Sequence, residues 1–563
     1  MRVSRRIVVS VVAGAAVAAA IAAPVMPAAA FDIKPPAVVG YIDSISVGYV
    51  QSSPKPTLHV KGWAGDLNDG WQNGTGTAAI ELVATPAGGS PTTIGWAERE
   101  DFNVARPDVR RAYPQLGPNQ GFDVRWASAP SVGPLTVCAR MWNLNAAMPP
   151  GGSVQVGCAS VTVPAARPSY AKAPTSATVG SPIQVDPGQT GGTDSFSWLR
   201  WNSDAPDPSG YAQPIAGANS ATYTPTVKDI GATLQAIVTT RAAGRATIEQ
   251  QTDDIFVQYP DHRVTVTSGA DRFDSSIAIS RAAFPDATAG APVAYLASGV
   301  DFPDALSAGP AAAAGHGTLL LTMPGTLDPR IAAELTRLHP PRIVVVGGPA
   351  VVADGVLDSL RALPFAPEVT RVFGSDRYET SRAVVQTAFG ASVPRVYLAT
   401  GRGFADALSA GAAAAVMGVP VVLTDGSLAR ADEATRSALA SWNTTSVSIA
   451  GGRTSVTDGV AGSLGTGIDV TRLAGGDRFE TAAAIAASIP ASRTAFLASG
   501  YGFPDALGVS VLASSLRGPL LLTTGRCIPV SELQFMFDRG VDDFQIVGGE
   551  NVQTTEVRWA RPC

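Results

Sequence analysis

The chain has 563 residues and a net charge of −5. At roughly 150 residues per domain it is too long for one core, and it lacks the basic excess of a nucleic-acid-binding surface. No lysine follows His262, so any cationic site in that half of the chain is an arginine site.

Arg2, Arg5 and Arg6 open the chain. An apolar, alanine-rich run from Ile7 to Ala23 follows, Pro24 and Pro27 break it, and Ala28-Ala29-Ala30 offers a small-residue cleavage site. This is the pattern of an export signal over residues 1–30. The run is short and weakly hydrophobic for a span, so no membrane span is expected after cleavage; an uncleaved anchor is the alternative. Four cysteines in an exported chain read as two disulfides, Cys138–Cys158 and Cys527–Cys563, with free buried thiols as the alternative. No C-x-x-C occurs, and no metal site or cofactor is expected.

Residues 31–164 read as an all-β module. Short alternating runs such as "AAIELVAT" and "SVQVGCASVTV" sit between Gly, Pro and Asn turns. The elements "KGWAGD" and "ARPDVRRAYPQLGPNQGFDV" resemble those of a small β-sandwich module of exported actinobacterial proteins. Trp63, Arg106, Asp108, Tyr113 and Phe122 line either a ligand face or a core holding an internal arginine–aspartate pair. A Pro/Ser/Ala-rich linker leads into residues 165–260. There "FSWLRW", a Tyr before "DIG" and a final alternating strand resemble a bacterial immunoglobulin-like domain, which implies a spacer or binding module.

From residue 262 the chain is a triplicate. "GADRFDSS", "GSDRYETS" and "GGDRFETA" recur at a period of roughly 100 residues, longer than the about 20–50 of a solenoid unit. Each copy is therefore domain-sized: 262–367, 368–468 and 469–563. Three further phrases keep their order: "ASGVDFPDALSAG", "ATGRGFADALSAG" and "ASGYGFPDALGVS"; "TLLLT", "PVVLT" and "PLLLT"; "IVVVGG", "VSIAGG" and "FQIVGG". Runs apolar on both faces, spaced by helical patterns, imply a parallel sheet covered on both sides.

In the first phrase Asp271, Asp376 and Asp477 precede helical runs, with Asp274, Glu379 and Glu480 three residues on. That spacing is a capping box, each cap worth about 1 kcal/mol. Arg272, Arg377 and Arg478 then fall on the first helical position, where the helix dipole disfavours a cation. They answer either to a carboxylate of a neighbouring copy or to an anionic ligand. In the second phrase Ser298-Gly299, Thr400-Gly401 and Ser499-Gly500 end strands, where open α/β sheets place ligands. Asp304, Asp406 and Asp505 are expected to cap the helices that follow. The Gly-Gly pairs 347–348, 451–452 and 548–549 form either tight turns or ligand loops.

Together these motifs resemble the cell wall binding repeat 2 family over residues 262–563. The resemblance implies a multidomain protein: two N-terminal all-β sandwiches, then three tandem three-layer αβα, Toprim-like modules in pseudo-threefold arrangement. It implies noncovalent attachment to anionic secondary polymers of a Gram-positive wall, teichoic-acid-like or another polysaccharide, with the β domains free to meet a host or glycan ligand. Because the repeats are slightly acidic, such binding rests on local arginine clusters or on metal bridging. The alternative is a wall hydrolase targeted by the repeats. Against it, His59, His262, His316 and His339 form no H-E-x-x-H, and no G-x-S-x-G elbow occurs. No enzyme activity is expected, although a glycosidase carboxylate pair leaves no sequence signature.

Overall fold

The computed structural model describes residues 38–50, 56–66, 78–97, 105–112, 121–143, 153–164, 171–188, 191–201, 212–243, 247–286, 288–502 and 504–563. The expected export signal, residues 1–30, and Tyr113 lie outside the described residues. The chain divides into two compact units: Met1–Ile45, Val60–Val124 and Leu135–Ser160 in one, Ser46–His59, Arg125–Pro134 and Val161–Cys563 in the other.

The smaller unit is built on a sheet in the order Thr92–Ala97, Ala78–Pro86, Gly133–Asn143, Ser153–Val163. Alternation buries Ile80, Leu82 and Ala84 along one strand and Val137, Ala139 and Met141 along its antiparallel partner. Glu81 is buried on the other face, accepting from Thr93 Oγ1 at 2.5 Å and Trp142 Nε1 at 2.9 Å. Cys138 and Cys158 are disulfide-bonded, as expected.

In the larger unit, residues 171–259 carry short strands around Trp198, which is fully buried and donates its Nε1 to Ser220 O at 3.0 Å. Asp229, also fully buried, accepts from Tyr223, from Arg200 and from the Thr226 backbone. That satisfies a carboxylate which would otherwise be costly to bury.

Beyond residue 262 the structure contains three four-stranded parallel sheets. The first runs Thr318–Thr322, Ala294–Ser298, Arg342–Val346, Glu368–Val372, and the second Val421–Thr424, Arg395–Thr400, Ser446–Ala450, Asp469–Leu473. The last strand of each leads directly into the next copy's first phrase, so each sheet borrows its edge from its successor. The third copy takes its edge from elsewhere. Its sheet, Leu520–Thr523, Thr494–Ser499, Asp543–Val547, is completed by Arg263–Thr267, the strand that opens the first copy. The pairing is parallel, Arg263 opposite Asp543 and Thr267 opposite Val547. Arg263 and Asp543 add a two-pronged ion pair at 3.0 and 2.7 Å. The copies thus close on themselves.

Inside the ring one core joins all three. Helices Pro303–Ala314, Ala405–Met417 and Val509–Leu516 are alanine-rich, which lets their backbones approach closely. They meet at equivalent positions, each five residues after the conserved Asp: Gly309, Gly411 and Ser510. A Cβ at Gly309 would stand 2.9 Å from Ser510 Oγ, and one at Gly411 3.1 Å from the same atom. The third copy's departure to "VSVLAS" therefore places one hydroxymethyl in a space left by two glycines. Buried hydroxyls tie the copies further: Ser307 to Ser381 at 2.8 Å, and Tyr397 to Ser488 at 2.8 Å.

The outer face of the third sheet is different. Its Leu497, Leu521, Phe544 and Ile546, with Met536 of Val530–Asp538, share a core with Trp198, Leu234, Val257 and Tyr259 of the preceding β segment. Tyr259 packs edge-on against Phe544 at 5.4 Å and donates its hydroxyl to Val541 O at 3.0 Å. His262 lies 4.3 Å from Phe544, its Nε2 3.0 Å from Arg558 O. At the far end Cys527–Cys563 forms as expected.

Gly309→Val is expected to cost about 1–3 kcal/mol in chemical denaturation, because a branched side chain overfills the meeting point of the three helices. Tyr259→Ala is expected to cost about 3–5 kcal/mol and to lower the melting of the repeat region, not only of the β segment. Separate, unshifted melting of the repeats would show that the shared core carries no load.

Candidate functional site

The repeated phrase sits at the C-terminal end of each sheet, and each of its positions has a structural task. Asp271, Asp376 and Asp477 are N-caps in extended conformation, with Oδ1 accepting from the backbone N–H of residues two and three further on at 2.8–2.9 Å. The acid three residues later behaves differently from a standard box. Glu379 accepts from Ser375 N and Glu480 from Gly476 N, both at 2.7 Å, one residue before the cap. The hydroxyls of Ser275, Thr380 and Thr481 accept from the N–H of the phrase's first glycine at 3.2, 3.0 and 3.1 Å. That glycine is dictated by space. A Cβ at Gly269, Gly374 or Gly475 would stand 2.3, 2.4 or 2.1 Å from the Cβ of Asp274, Glu379 or Glu480.

The arginines fold back onto the second phrase. Nη1 of Arg272 donates to Gly299 O at 2.5 Å and that of Arg377 to Gly401 O at 2.8 Å; Arg478 bonds Gly500 O in the same way. The aromatic beside each arginine packs on the same glycine: a Cβ at Gly299, Gly401 or Gly500 would stand 2.7, 2.7 or 2.9 Å from Phe273, Tyr378 or Phe479. The glycines' N–H groups meanwhile bond the carbonyls of Thr322, Thr424 and Thr523 on the adjacent strand. Ser298, Thr400 and Ser499 accept from the N–H two residues on, at 3.1, 3.2 and 3.2 Å. These are hydroxyl turns that fix the residue they present.

The presented residues, Val300, Arg402 and Tyr501, differ in every copy and escaped the sequence reading, because attention to the shared motif hides the positions that vary within it. Val300 is 56% and Tyr501 64% exposed. Arg402 reaches Ser427 Oγ at 3.0 Å and Asp425 at 3.5 Å.

The expectation that Asp304, Asp406 and Asp505 cap helices is corrected. The N-caps are Phe302 and Phe404, in helical conformation with no side-chain cap bond, while Asp505 lies in a short 3₁₀ turn, Pro504–Ala506. A helical N-cap backbone starts the helix early, so the aspartate lands inside the first turn and turns toward the Gly-Gly strand end. A Cβ on Gly347 or Gly451 would stand 2.7 or 2.5 Å from Oδ2 of Asp304 or Asp406. These glycines and Gly548 have φ of +115°, +114° and +109°, which identifies the pairs as tight turns.

Burial and the neighbouring Asp301 push the Asp304 carboxyl up to about 6, against the pull of Arg377 from the next copy. Burial raises Asp406 as well, opposed by the Ser455 hydroxyl at 2.8 Å and by Arg478 of the next copy. Arg377 also lies 3.8 Å from Asp301. Each repeated arginine thus clamps its own copy's loop, and Arg377 and Arg478 face the preceding copy's carboxylates.

Elsewhere, a concavity of about 610 Å³ lined by Asp261, His262, Arg263, Arg493, Thr494, Asp542 and Asp543 lies at the opposite, N-terminal end of the third sheet. Its Arg263 pairs with Asp543 and its Arg493 with Asp542, so both arginines lining it are already engaged. In the smaller unit Arg106 bonds both Asp43 and Asp108, and Phe122 is buried. Among the described residues no group of three or more His, Cys, Asp and Glu is placed to hold a metal ion, and no helix is long and apolar enough to cross a membrane.

Residues 267–357, 371–461 and 472–558 each match the family model of cell wall binding domain 2 (CWB2). The same model thus matches the chain three times. Among curated proteins, it is 26% identical over 298 residues to the N-acetylmuramoyl-L-alanine amidase LytC of Bacillus subtilis (strain 168), covering 53% of this chain and 58% of that protein. It is 25% identical over 258 residues to the amidase enhancer of the same organism, covering 46% of this chain and 34% of that protein. The chain therefore spans between a third and three-fifths of the length of these relatives. Among solved structures, Cwp6 from Clostridium difficile is 18% identical with a TM-score of 0.48, over 68% of this chain and 65% of that one. Cwp8 from Clostridium difficile is 17% identical with a TM-score of 0.47, over 90% and 88%. The CWB2 repeats indicate binding to the cell wall and a place at the cell surface.

A buried carboxyl raised in the folded state binds its proton more tightly there than when unfolded. Its contribution is present at low pH and is lost as pH climbs through about 6. Asp304→Asn is expected to remove that loss. Melting curves from pH 4 to 8 should show the variant gaining on the native protein by up to about 3 kcal/mol as pH rises. Parallel curves would count against a buried, proton-holding Asp304.

Proposed function

We propose that this protein is exported and held noncovalently on the bacterial wall, with its three CWB2 copies gripping an anionic secondary polymer. A teichoic-acid-like chain or another acidic polysaccharide has the required charge. The observation that carries this reading is the threefold CWB2 match lying on a closed ring with one core. In such a ring the three strand-end mouths are held in fixed relation, so an extended polymer touching two of them gains affinity without new contacts. The β segments, one resembling an actinobacterial sandwich and the other an immunoglobulin-like domain, serve as display modules for a host or glycan partner.

The chain acts as a binding protein and not as a hydrolase. The amidase relatives share its CWB2 region, and among the described residues no group of three or more His, Cys, Asp and Glu is placed to hold a metal ion. On zymograms of purified walls the protein should give no clearing.

The full chain is expected to sediment with purified walls of its source bacterium and to stay in the supernatant when the walls are stripped of secondary polymer but keep their peptidoglycan. Equal sedimentation with both preparations would overturn the polymer reading. The test calls for the full chain, since residues 262–563 cut away from Tyr259 lose part of the core of the third copy.

A further inference from the structure

The three presented residues stand on equivalent turns yet offer different chemistry. In the first copy Val300 and Met323 are exposed beside Asp301, an apolar and acidic mouth. In the second, Arg402 is met by the Asp425 carboxylate, which offsets its charge, and by the Ser427 hydroxyl. In the third, the positions of Asp425 and Ser427 are taken by Thr524 and Arg526. The acid is gone and a cation has been added. Gly500 N bonds Thr523 O at 2.8 Å and Gly525 lies against Ser499, so the 524–526 loop flanks the turn that presents Tyr501.

Both parts of this mouth are rigid. Tyr501 is held edge-on to Phe479 at 5.9 Å and 80°, with the Arg478 guanidinium 5.3 Å from its ring centre. It nevertheless keeps 64% of its surface in water. The Arg526 backbone is tied by its N–H to Thr524 Oγ1 at 3.3 Å, by its carbonyl to Thr554 Oγ1 at 3.3 Å, and by the adjoining Cys527–Cys563 bond. The Arg526 side chain is exposed, and no ion pair to it occurs among the described residues. A preorganised aromatic face beside a backbone-tethered arginine costs less entropy to bind against than a mobile one.

We propose that this mouth of the third copy is a subsite for one acidic sugar unit, whose apolar ring face stacks on Tyr501 while its carboxylate or phosphate meets Arg526. The inference rests on the wall-polymer reading and adds to it an inequality: the third copy recognises charge and ring together, whereas the first and second mouths do not. Aromatic rings and arginine are the residues that most often dominate such contacts.

Binding isotherms of the full-length protein and its variants on polymer-bearing walls, at low and high salt, test this. Tyr501→Ala is expected to weaken binding about five- to tenfold, the scale of one lost aromatic contact, and Tyr501→Phe to keep native affinity. Arg526→Gln should weaken binding at low salt and flatten its salt dependence, since a screened charge contact is removed. Val300→Ala should change nothing, and unchanged melting points should accompany all four variants. If Tyr501→Ala and Arg526→Gln bind like the native protein while stripped walls still release it, the subsite is wrong and the polymer reading stands. If Tyr501→Phe is as weak as Tyr501→Ala, the stacking is wrong. If the native protein holds stripped walls equally well, the polymer reading falls and the subsite with it.

Discussion

The parallel pairing of Arg263–Thr267 with Asp543–Val547 decides the architecture. Each CWB2 sheet takes its last strand from the copy that follows it, which for a linear chain would leave the third sheet open at one edge. An open parallel edge exposes unpaired N–H and C=O groups and invites pairing with another chain. Closing it with a strand from some 280 residues earlier converts a row of modules into a ring. Such a contact comes late in folding, because a long loop must close before it is rewarded. The residues around the seam reinforce it from several sides: the Arg263–Asp543 pair, His262 on Phe544, and Tyr259 bonded to Val541.

The same seam removes the third copy's outer face from solvent. In the first copy that face is covered by its own helices, with Ile331, Leu335 and Val356 packed on Leu296 and Val345. In the third, part of the cover comes from the preceding β segment. A related substitution appears at the sheet edge. Leu321 N–H bonds Ser276 and Leu423 N–H bonds Ser381, but the third copy has Ala482 there. The buried Glu532 accepts from Leu522 N–H in its place at 3.2 Å, and burial raises its carboxyl far above the usual range. Symmetry of sequence is therefore relaxed where each copy faces something different, and at the centre one serine stands against two glycines.

The phrase G-x-D-R-[FY]-[DE]-[ST] makes physical sense as a fastening. Its glycine admits the helix's first turn, its Asp and acid satisfy free N–H groups, its hydroxyl returns to the glycine, and its arginine and aromatic hold the neighbouring strand end. An arginine at a helix start looks misplaced when only the helix is considered. Its partner is a carbonyl 22 to 27 residues away in sequence, with the preceding copy's carboxylates beyond it. The scaffold so fastened is nearly constant, and the residue it presents is free to vary.

The sequence by itself determined the number of copies, the parallel β/α pattern, the first-phrase helix caps and both disulfides. Each of these is written in local periodicity, in spacing or in a small even set of cysteines. It misplaced Asp304 and Asp406, because the choice between a cap and a buried first-turn carboxyl depends on one N-cap backbone angle and on a glycine turn some 40 residues away. Only the tertiary structure decided where each sheet ends, that the preceding β segment shares the third copy's core, and that Val300, Arg402 and Tyr501 stand in equivalent mouths. Those outcomes depend on strand exchange and close packing between distant segments, and a linear pattern does not record which distant segments meet.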